Sequence, residues 1–148
     1  MKASILLVED NPRDEKLTIR AFNQANIANQ IVVARDGAEA LDYLFGRGQY
    51  QGRDPAASPA VVLLDLKLPK IDGLDVLREI RADARTKLLP VVILTASREE
   101  EDRARGYALG VNAFVRKPIA FAEFAEAVKT LGLFWVVLNE GPPAPGAA

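Results

Sequence analysis

The chain has no cysteine and no histidine. Without cysteine there can be no disulfide scaffold, no thiolate catalysis and no Cys-based zinc site. Without histidine the chain loses the commonest metal ligand and general base, and it cannot itself carry a phosphohistidine. No charge sign dominates either. Nineteen Lys and Arg face 20 Asp and Glu, spread along the chain for a formal charge of −1. That leaves no basic stripe for a nucleic-acid backbone and no polybasic arm for a membrane surface. Apolar runs are short, well under the about 20 residues of a membrane span. The amino terminus enters a strand pattern with no charged and apolar leader ahead of it. These absences predict a soluble cytoplasmic protein that works without nucleic acid or membrane.

What is present is enough apolar sequence for a core. With 148 residues, 49% of them hydrophobic, the chain can bury one sizeable core unaided, and one domain is expected. Its organising stretch is Val61-Val62-Leu63-Leu64-Asp65, a continuous apolar run that ends on a carboxylate and leads into Leu66-Lys67-Leu68-Pro69-Lys70-Ile71-Asp72-Gly73. Such a run, closed by turn residues, reads as a strand buried on both faces of a parallel sheet. Asp65 then stands at the strand's carboxyl end, where ligands and chemistry collect in open α/β sheets. Its bland reading is a turn-starting Asp.

Four more strands read the same way: Ala3 to Val8, Ile31 to Ala34, Val91 to Thr95 behind Pro90, and Val111 to Val115. Between them come helices. Asn11-Pro12 is a cap and first-turn pair, with Asp14 and Glu15 suited to the helix dipole and Leu17, Ala21, Phe22 and Ala25 turned inward. Asp36 and Glu39 form an acidic capping box for a helix burying Leu41, Leu44 and Phe45. A third helix starts near Gly73 and turns Leu74, Leu77 and Ile80 inward. Ser97 and Glu100 are predicted to cap a fourth, which Gly110 stops, and the last carries Phe121, Phe124, Val128 and Leu131. Gly46 to Pro59 has no periodicity and exceeds the usual about 4–6 residues of a connection, so it is expected to be mobile or used for contact. Strands alternating with helices predict a doubly wound, five-stranded parallel α/β sheet. Periodicity leaves the strand order open, but a reversal between the first and third strands would bring Glu9, Asp10 and Asp65 into one crevice.

The strand ends share a rim: Glu9 and Asp10, Asp65, Thr95, Lys117. Taken singly, Thr95 reads as a helix-start residue, Phe114 as core and Lys117 as a surface lysine; only the set points to a site. Clustered carboxylates repel one another unless a cation neutralises them. With oxygen ligands and neither His nor Cys, Mg²⁺ is the expected ion.

The pattern resembles the receiver domain of two-component response regulators: an acidic pair after the first strand, a phosphoaccepting Asp after the third, Thr or Ser after the fourth and Lys-Pro after the fifth. The resemblance spans residues 3–131 and is most specific in Asp65-Leu66-x-Leu68-Pro69-x-x-Asp72-Gly73. It implies the flavodoxin-like fold with strand order 2-1-3-4-5. It further implies that Asp65 takes a phosphoryl group from a sensor histidine kinase, and that Glu9, Asp10, Asp65 and the backbone carbonyl of Lys67 hold Mg²⁺. Lys117 would stabilise the transferring charge. Three carboxylates, Mg²⁺ and Lys117 balance to zero, so a phosphoryl of about −2 on Asp65 leaves an excess near −1. That excess would draw in the Thr95 hydroxyl and the Ala96 N–H, with Phe114 turning into the space vacated. Pro118 matches the family's cis proline. Lys67 and Ser97 are positions where the family varies and tunes the lifetime of the phosphoryl group. The protein would be a phosphoacceptor with only autophosphatase activity, not an enzyme.

Beyond Leu131 the ordinary receiver pattern is complete, yet Leu133-Phe134-Trp135-Val136-Val137-Leu138 follows. Residues 132–148 therefore read as an apolar extension and a Pro- and Gly-rich disordered tail. The extension either folds back or meets another chain, and the second is favoured. It resembles that of the regulators paired with bacterial phytochromes, which implies a phytochrome-type kinase as partner and a homodimer built through Phe134, Trp135 and Val137. With no output domain in view, the signal is expected to pass through protein contacts. The residues speak against three alternatives. A Mg²⁺-dependent phosphatase of the haloacid dehalogenase type needs an acid where Lys67 stands. A scaffold that has lost phosphorylation would lack some of Asp10, Asp65 or Lys117. A nucleotide-binding Rossmann protein is disfavoured, since Glu9-Asp10-Asn11-Pro12 replaces a glycine-rich cradle.

Overall fold

The apolar runs become five strands, β1 (Ile5–Val8), β2 (Ile31–Ala34), β3 (Val61–Leu64), β4 (Val91–Thr95) and β5 (Ala113–Arg116). In the computed structural model, residues 4–54, 57–117, 121–132, 134–135 and 139–143 are described. The strands form one sheet in the order β2-β1-β3-β4-β5, every pairing parallel. Every residue of β1, β3 and β4 is buried, whereas β2 and β5, at the edges, are mostly half-buried. This is why the three central strands are apolar without alternation: helices cover both their faces.

The helices are α1 (Pro12–Gln24), α2 (Gly37–Phe45), α3 (Gly73–Ala82), α4 (Glu100–Ala108) and α5 (Phe121–Gly132). Alternation along the strands divides the core in two. Leu6, Val8, Val62, Leu64 and Ile93 face α2 and α3, whose Leu41, Leu44, Leu74, Leu77 and Ile80 are buried against them. Ile5, Leu7, Val61, Leu63, Val92 and Leu94 face the other way, onto Ala21 and Phe22 of α1 and Leu131 of α5. The side chains of Phe121, Phe124 and Val128, expected on that face, lie outside the described residues.

Local chemistry sets the helix starts as expected at two places. Asn11 Oδ1 accepts from Arg13 N–H at 2.9 Å and Asp14 N–H at 3.2 Å, and Asp36 Oδ1 accepts from Glu39 N–H at 2.7 Å. At α4 the expected cap does not form. The helix begins one residue after Glu99, and the Ser97 hydroxyl, which accepts from the Glu99 N–H at 3.3 Å, donates to Asp102 at 2.6 Å. β5 also starts later than its apolar run: Gly110, at φ +93°, turns the chain, and Val111 N–H closes back on Gly106 O at 3.0 Å before Asn112 N–H meets Val91 O.

Residues 46–54 are tied to α2 by side chains. A single 3-10 turn, Gly48–Tyr50, sets the Tyr50 ring edge-on to Tyr43 at 5.1 Å, and the Tyr50 hydroxyl donates to Glu39 at 2.8 Å. The Arg53 guanidinium stacks over Tyr43 at 3.9 Å and donates to its carbonyl at 2.7 Å. At the carboxyl end, Trp135 lies half-buried against the α1 and α5 face of the core, while Phe134, edge-on to it, is 48% exposed. The expectation for Val137 concerns a residue outside those described. Among the described residues no helix is long and apolar enough to cross a membrane.

Candidate functional site

The site follows from one topological fact. β1 is flanked by β2 on one side and β3 on the other, so the chain reverses direction across the sheet at the β1–β3 pair. Val8 stands opposite Leu64, so Glu9 and Asp65 leave the sheet side by side. Asp65 N–H donates to Val8 O at 3.1 Å and Glu9 N–H to Ala34 O at 2.9 Å, which carries the ladder one residue past each strand. One oxygen from each of Glu9, Asp10 and Asp65 lies within 4.8 Å of the others. Glu9 and Asp65 are buried; Asp10 is exposed. Hard oxygen donors with no nitrogen or sulfur among them suit a divalent cation.

Lys117 completes the cluster. Its backbone N–H donates to Thr95 O at 2.7 Å, fixing the end of β5 against β4. Its ammonium donates to Glu9 Oε1 at 2.5 Å, Asp65 Oδ2 at 2.9 Å and Asp14 Oδ2 at 2.9 Å. An ammonium has three N–H donors, and here each has a carboxylate. Burial pulls the Lys117 pKa down, but Asp65, Glu9 and Asp14 outweigh it and hold the lysine above its ordinary range. Glu9 goes the other way. Burial pushes its carboxyl up to about 7, with Lys117 pulling back and the Asp65 charge adding to the rise.

A glycine makes the close geometry possible. A Cβ on Gly73 would stand 2.3 Å from Asp65 O and 2.6 Å from the Leu66 Cα, so α3 starts directly against the backbone of the site. The glycine of the Asp72-Gly73 pair is a packing requirement at Asp65.

The remaining expected residues are distributed around this centre. Thr95 is fully buried and its Oγ1 accepts from Ser97 N–H at 3.3 Å, while Ala96 is exposed. Lys67 N–H points at Asp65 Oδ1 at 3.4 Å, but its side chain turns away and its ammonium lies 3.7 Å from Asp102. Phe114 is half-buried, its ring close to Gly106 of α4: a Cβ there would lie 3.4 Å from Phe114 Cδ2. Pro118 lies outside the described residues.

Two residues of this surrounding went unread in the sequence. Asp14 passed as a helix-dipole charge. Its position in the first turn of α1, directly behind Glu9 and Asp10, was the only available signal that it returns to the rim. Asp102 carries no expectation from the sequence, where Glu99, Glu100 and Glu101 read as the first-turn acids. It stands one turn before Gly106, the other buried residue of α4, which was a faint mark of the inward face.

Comparison with known proteins agrees with this geometry. Residues 5–129 match the response regulator receiver domain. Response regulator Rcp1 of Synechocystis sp. is 36% identical over 132 residues, 89% of this chain and 88% of that protein. The Mn²⁺-bound crystal structure of Rcp1 superimposes with a TM-score of 0.88 at 34% identity, covering 95% of this chain and 99% of that one. The phosphorylated cyanobacterial phytochrome response regulator RcpA gives 0.89 at 36% identity, covering 97% and 100%. The bacteriophytochrome response regulator AtBRR is 55% identical with a TM-score of 0.72, covering 95% and 99%. A chain that carries the acidic pair, the strand-end Asp and the lysine in one cluster, and matches over nearly all its length, belongs to the response regulator receiver domain family.

Proposed function

We propose that the chain is a single-domain response regulator that accepts a phosphoryl group on Asp65 from the phosphohistidine of a sensor histidine kinase, of the phytochrome photoreceptor type. The observation that carries this is the Lys117 ammonium bridging Asp65 and Glu9 at the carboxyl edge of the sheet. The ammonium, 2.9 Å from Asp65 Oδ2, holds that carboxyl group in place at the rim. An Asp65 oxygen lone pair attacks phosphorus, the N–P bond breaks, its electron pair returns to the donor imidazole, and an acyl phosphate results. Glu9, Asp10, Asp65 and the Lys67 carbonyl would hold Mg²⁺, which when bound offsets negative charge on the phosphoryl oxygens.

Asp14 alters the charge balance expected from sequence. With this fourth carboxylate the loaded resting site carries a net charge of about −1 rather than zero, and phosphorylation leaves it near −2. The need for donors is correspondingly greater. Thr95 Oγ1 gives up the Ser97 N–H and donates its own proton to the phosphoryl group, the Ala96 N–H does likewise, and Phe114 takes the space Thr95 leaves. Pro118 is assigned to the same switch. The mark is lost by hydrolysis at Asp65, an autophosphatase step and not turnover of an external substrate.

The relatives support the choice of partner: RcpA and AtBRR are themselves phytochrome and bacteriophytochrome response regulators. In a phosphotransfer assay with Mg²⁺, a radiolabelled phytochrome-type kinase is expected to load this chain at least about tenfold faster than an unrelated histidine kinase, about 1.4 kcal/mol of discrimination. Equal rates would remove the phytochrome-type partner from the proposal.

Phe134, Trp135 and Val137 are proposed to build a homodimer. Trp135 keeps part of its ring on the chain's own core, so the exposed Phe134 ring and the open edge of Trp135 form the surface on offer. Sedimentation should show a chain truncated after Leu131 as a monomer and the full chain as a dimer; the same oligomeric state for both would end the dimer proposal.

A further inference from the structure

Asp102 is a buried acid with no part in the chemistry above. It lies in the first turn of α4 beside Glu100 and Glu101, which are both exposed, yet only 6% of Asp102 is accessible. A buried carboxylate without partners is unstable, and this one has two on the same oxygen. The Ser97 hydroxyl donates to Oδ2 at 2.6 Å and the Lys67 ammonium lies 3.7 Å from it. Both partners are anchored to the phosphoryl site by their backbones. Lys67 is two residues past Asp65 with its N–H toward Asp65 Oδ1, and Ser97 is two residues past Thr95 with its N–H on Thr95 Oγ1. Their main chains belong to the site and their side chains to α4.

We propose that Asp102 is the resting counter-anion of Lys67 and Ser97, and that a phosphoryl group on Asp65 competes with it for both, so that loading of Asp65 is felt at the first turn of α4. The inference rests on Asp65 being the phosphoacceptor. A phosphoryl group brings about −2 of charge and three acceptor oxygens, against a single −1 at Asp102. The Lys67 side chain is mostly exposed and its contact with Asp102 is long, so once Asp65 is loaded it divides between Asp102 and the phosphoryl group. Ser97 already loses its N–H acceptor when Thr95 turns toward the phosphoryl group. Once both have moved, Asp102 is left as a buried charge without a donor, and the first turn of α4 opens to let water reach it. Asp102 is therefore a positioning residue. It holds Lys67 off the phosphoryl group and sets both the lifetime of the mark and the response of α4.

The test measures loss of the phosphoryl group from the full chain, loaded with Mg²⁺ and a small acyl phosphate, in the parent, D102N, K67Q and the double variant. D102N frees Lys67 to pair with the phosphoryl group and obstruct water, so its half-life should lengthen about fivefold; K67Q should shorten it by a similar factor, and in the K67Q background D102N should change nothing. Amide hydrogen exchange supplies a second readout: in the parent, loading should speed exchange in residues 100–103, and this difference should vanish in D102N. Lys67 is exposed, so K67Q keeps the inference testable through both readouts even if D102N folds poorly. A half-life unchanged by D102N, or lengthened equally without Lys67, overturns the role of Asp102 alone. A parent that takes up no phosphoryl group overturns the assignment of Asp65 and this inference with it.

Discussion

An Asp65→Asn chain, incubated with Mg²⁺ and a small acyl phosphate, is expected to carry no base-labile phosphate, while the parent acquires an acid-stable, base-labile adduct. The change is close to isosteric, so the loss has a specific chemical cause. A carboxylate offers phosphorus an oxygen lone pair and forms an acyl phosphate; a carboxamide is neutral and its nitrogen lone pair is delocalised. Folding should not suffer. Asp65 is a buried charge beside the Glu9 carboxylate, and removing it relieves a like-charge contact while Lys117 keeps Glu9 and Asp14. Thermal unfolding in the absence of metal should therefore show D65N at least as stable as the parent. A D65N chain that still gained the adduct would move the acceptor elsewhere, and none of the roles built around Asp65 would survive it.

Gly73→Ala should damage both the fold and the site, through contact rather than charge. The new methyl would stand 2.3 Å from Asp65 O and 2.6 Å from Leu66 Cα, distances that no rotamer change relieves because both atoms are backbone. Either α3 starts further out, losing the Gly73 N–H bond to Leu66 O at 2.9 Å, or the end of β3 moves and takes Asp65 with it. We expect a loss of about 3 kcal/mol in urea unfolding, at the upper end of overpacking costs. Displacement of the nucleophile should also slow phosphoryl uptake, by about tenfold or more, since rates fall steeply with small misplacements. Gly52→Ala is the control. Gly52 sits at positive φ, +95°, and has nothing within 4 Å of its would-be Cβ, so the strain there should cost about 1 kcal/mol and leave uptake unchanged. If Gly73→Ala behaved like Gly52→Ala, the tight seat of α3 against Asp65 would be wrong.

Much of the site could be read before any coordinates. Val61 to Leu64 and Val91 to Leu94 are apolar without a break, and that pattern survives only in strands covered on both faces, so a parallel sheet followed from composition and spacing. Asn11 and Asp36 cap their helices because a side-chain oxygen reaches an N–H two or three residues on, a contact the local backbone decides alone. Ser97 had the same local credentials, but its hydroxyl accepts the Glu99 N–H ahead of the helix and donates to a buried acid five residues on, so α4 starts at Glu100 without a side-chain cap. The same lesson applies to 46–59, where Arg53 and Tyr50 find partners on α2 that no local pattern marks.

Which residues reach the ends of strands, and so the kinds of charge available at one rim, follows from the order of amino acids alone. The amino acids also determined that neither sulfur nor imidazole could take part there. Who meets whom depends on how the strands are ordered in the sheet. Lys117 and Glu9 are 108 residues apart, and they touch because the strand order places β1 and β3 together and brings β5 to the same edge. Asp14 and Asp102 acquired their roles in the same way. Charge pairing depends on distance in space, and a linear pattern carries that distance only within a turn or two of its own helix or along its own strand.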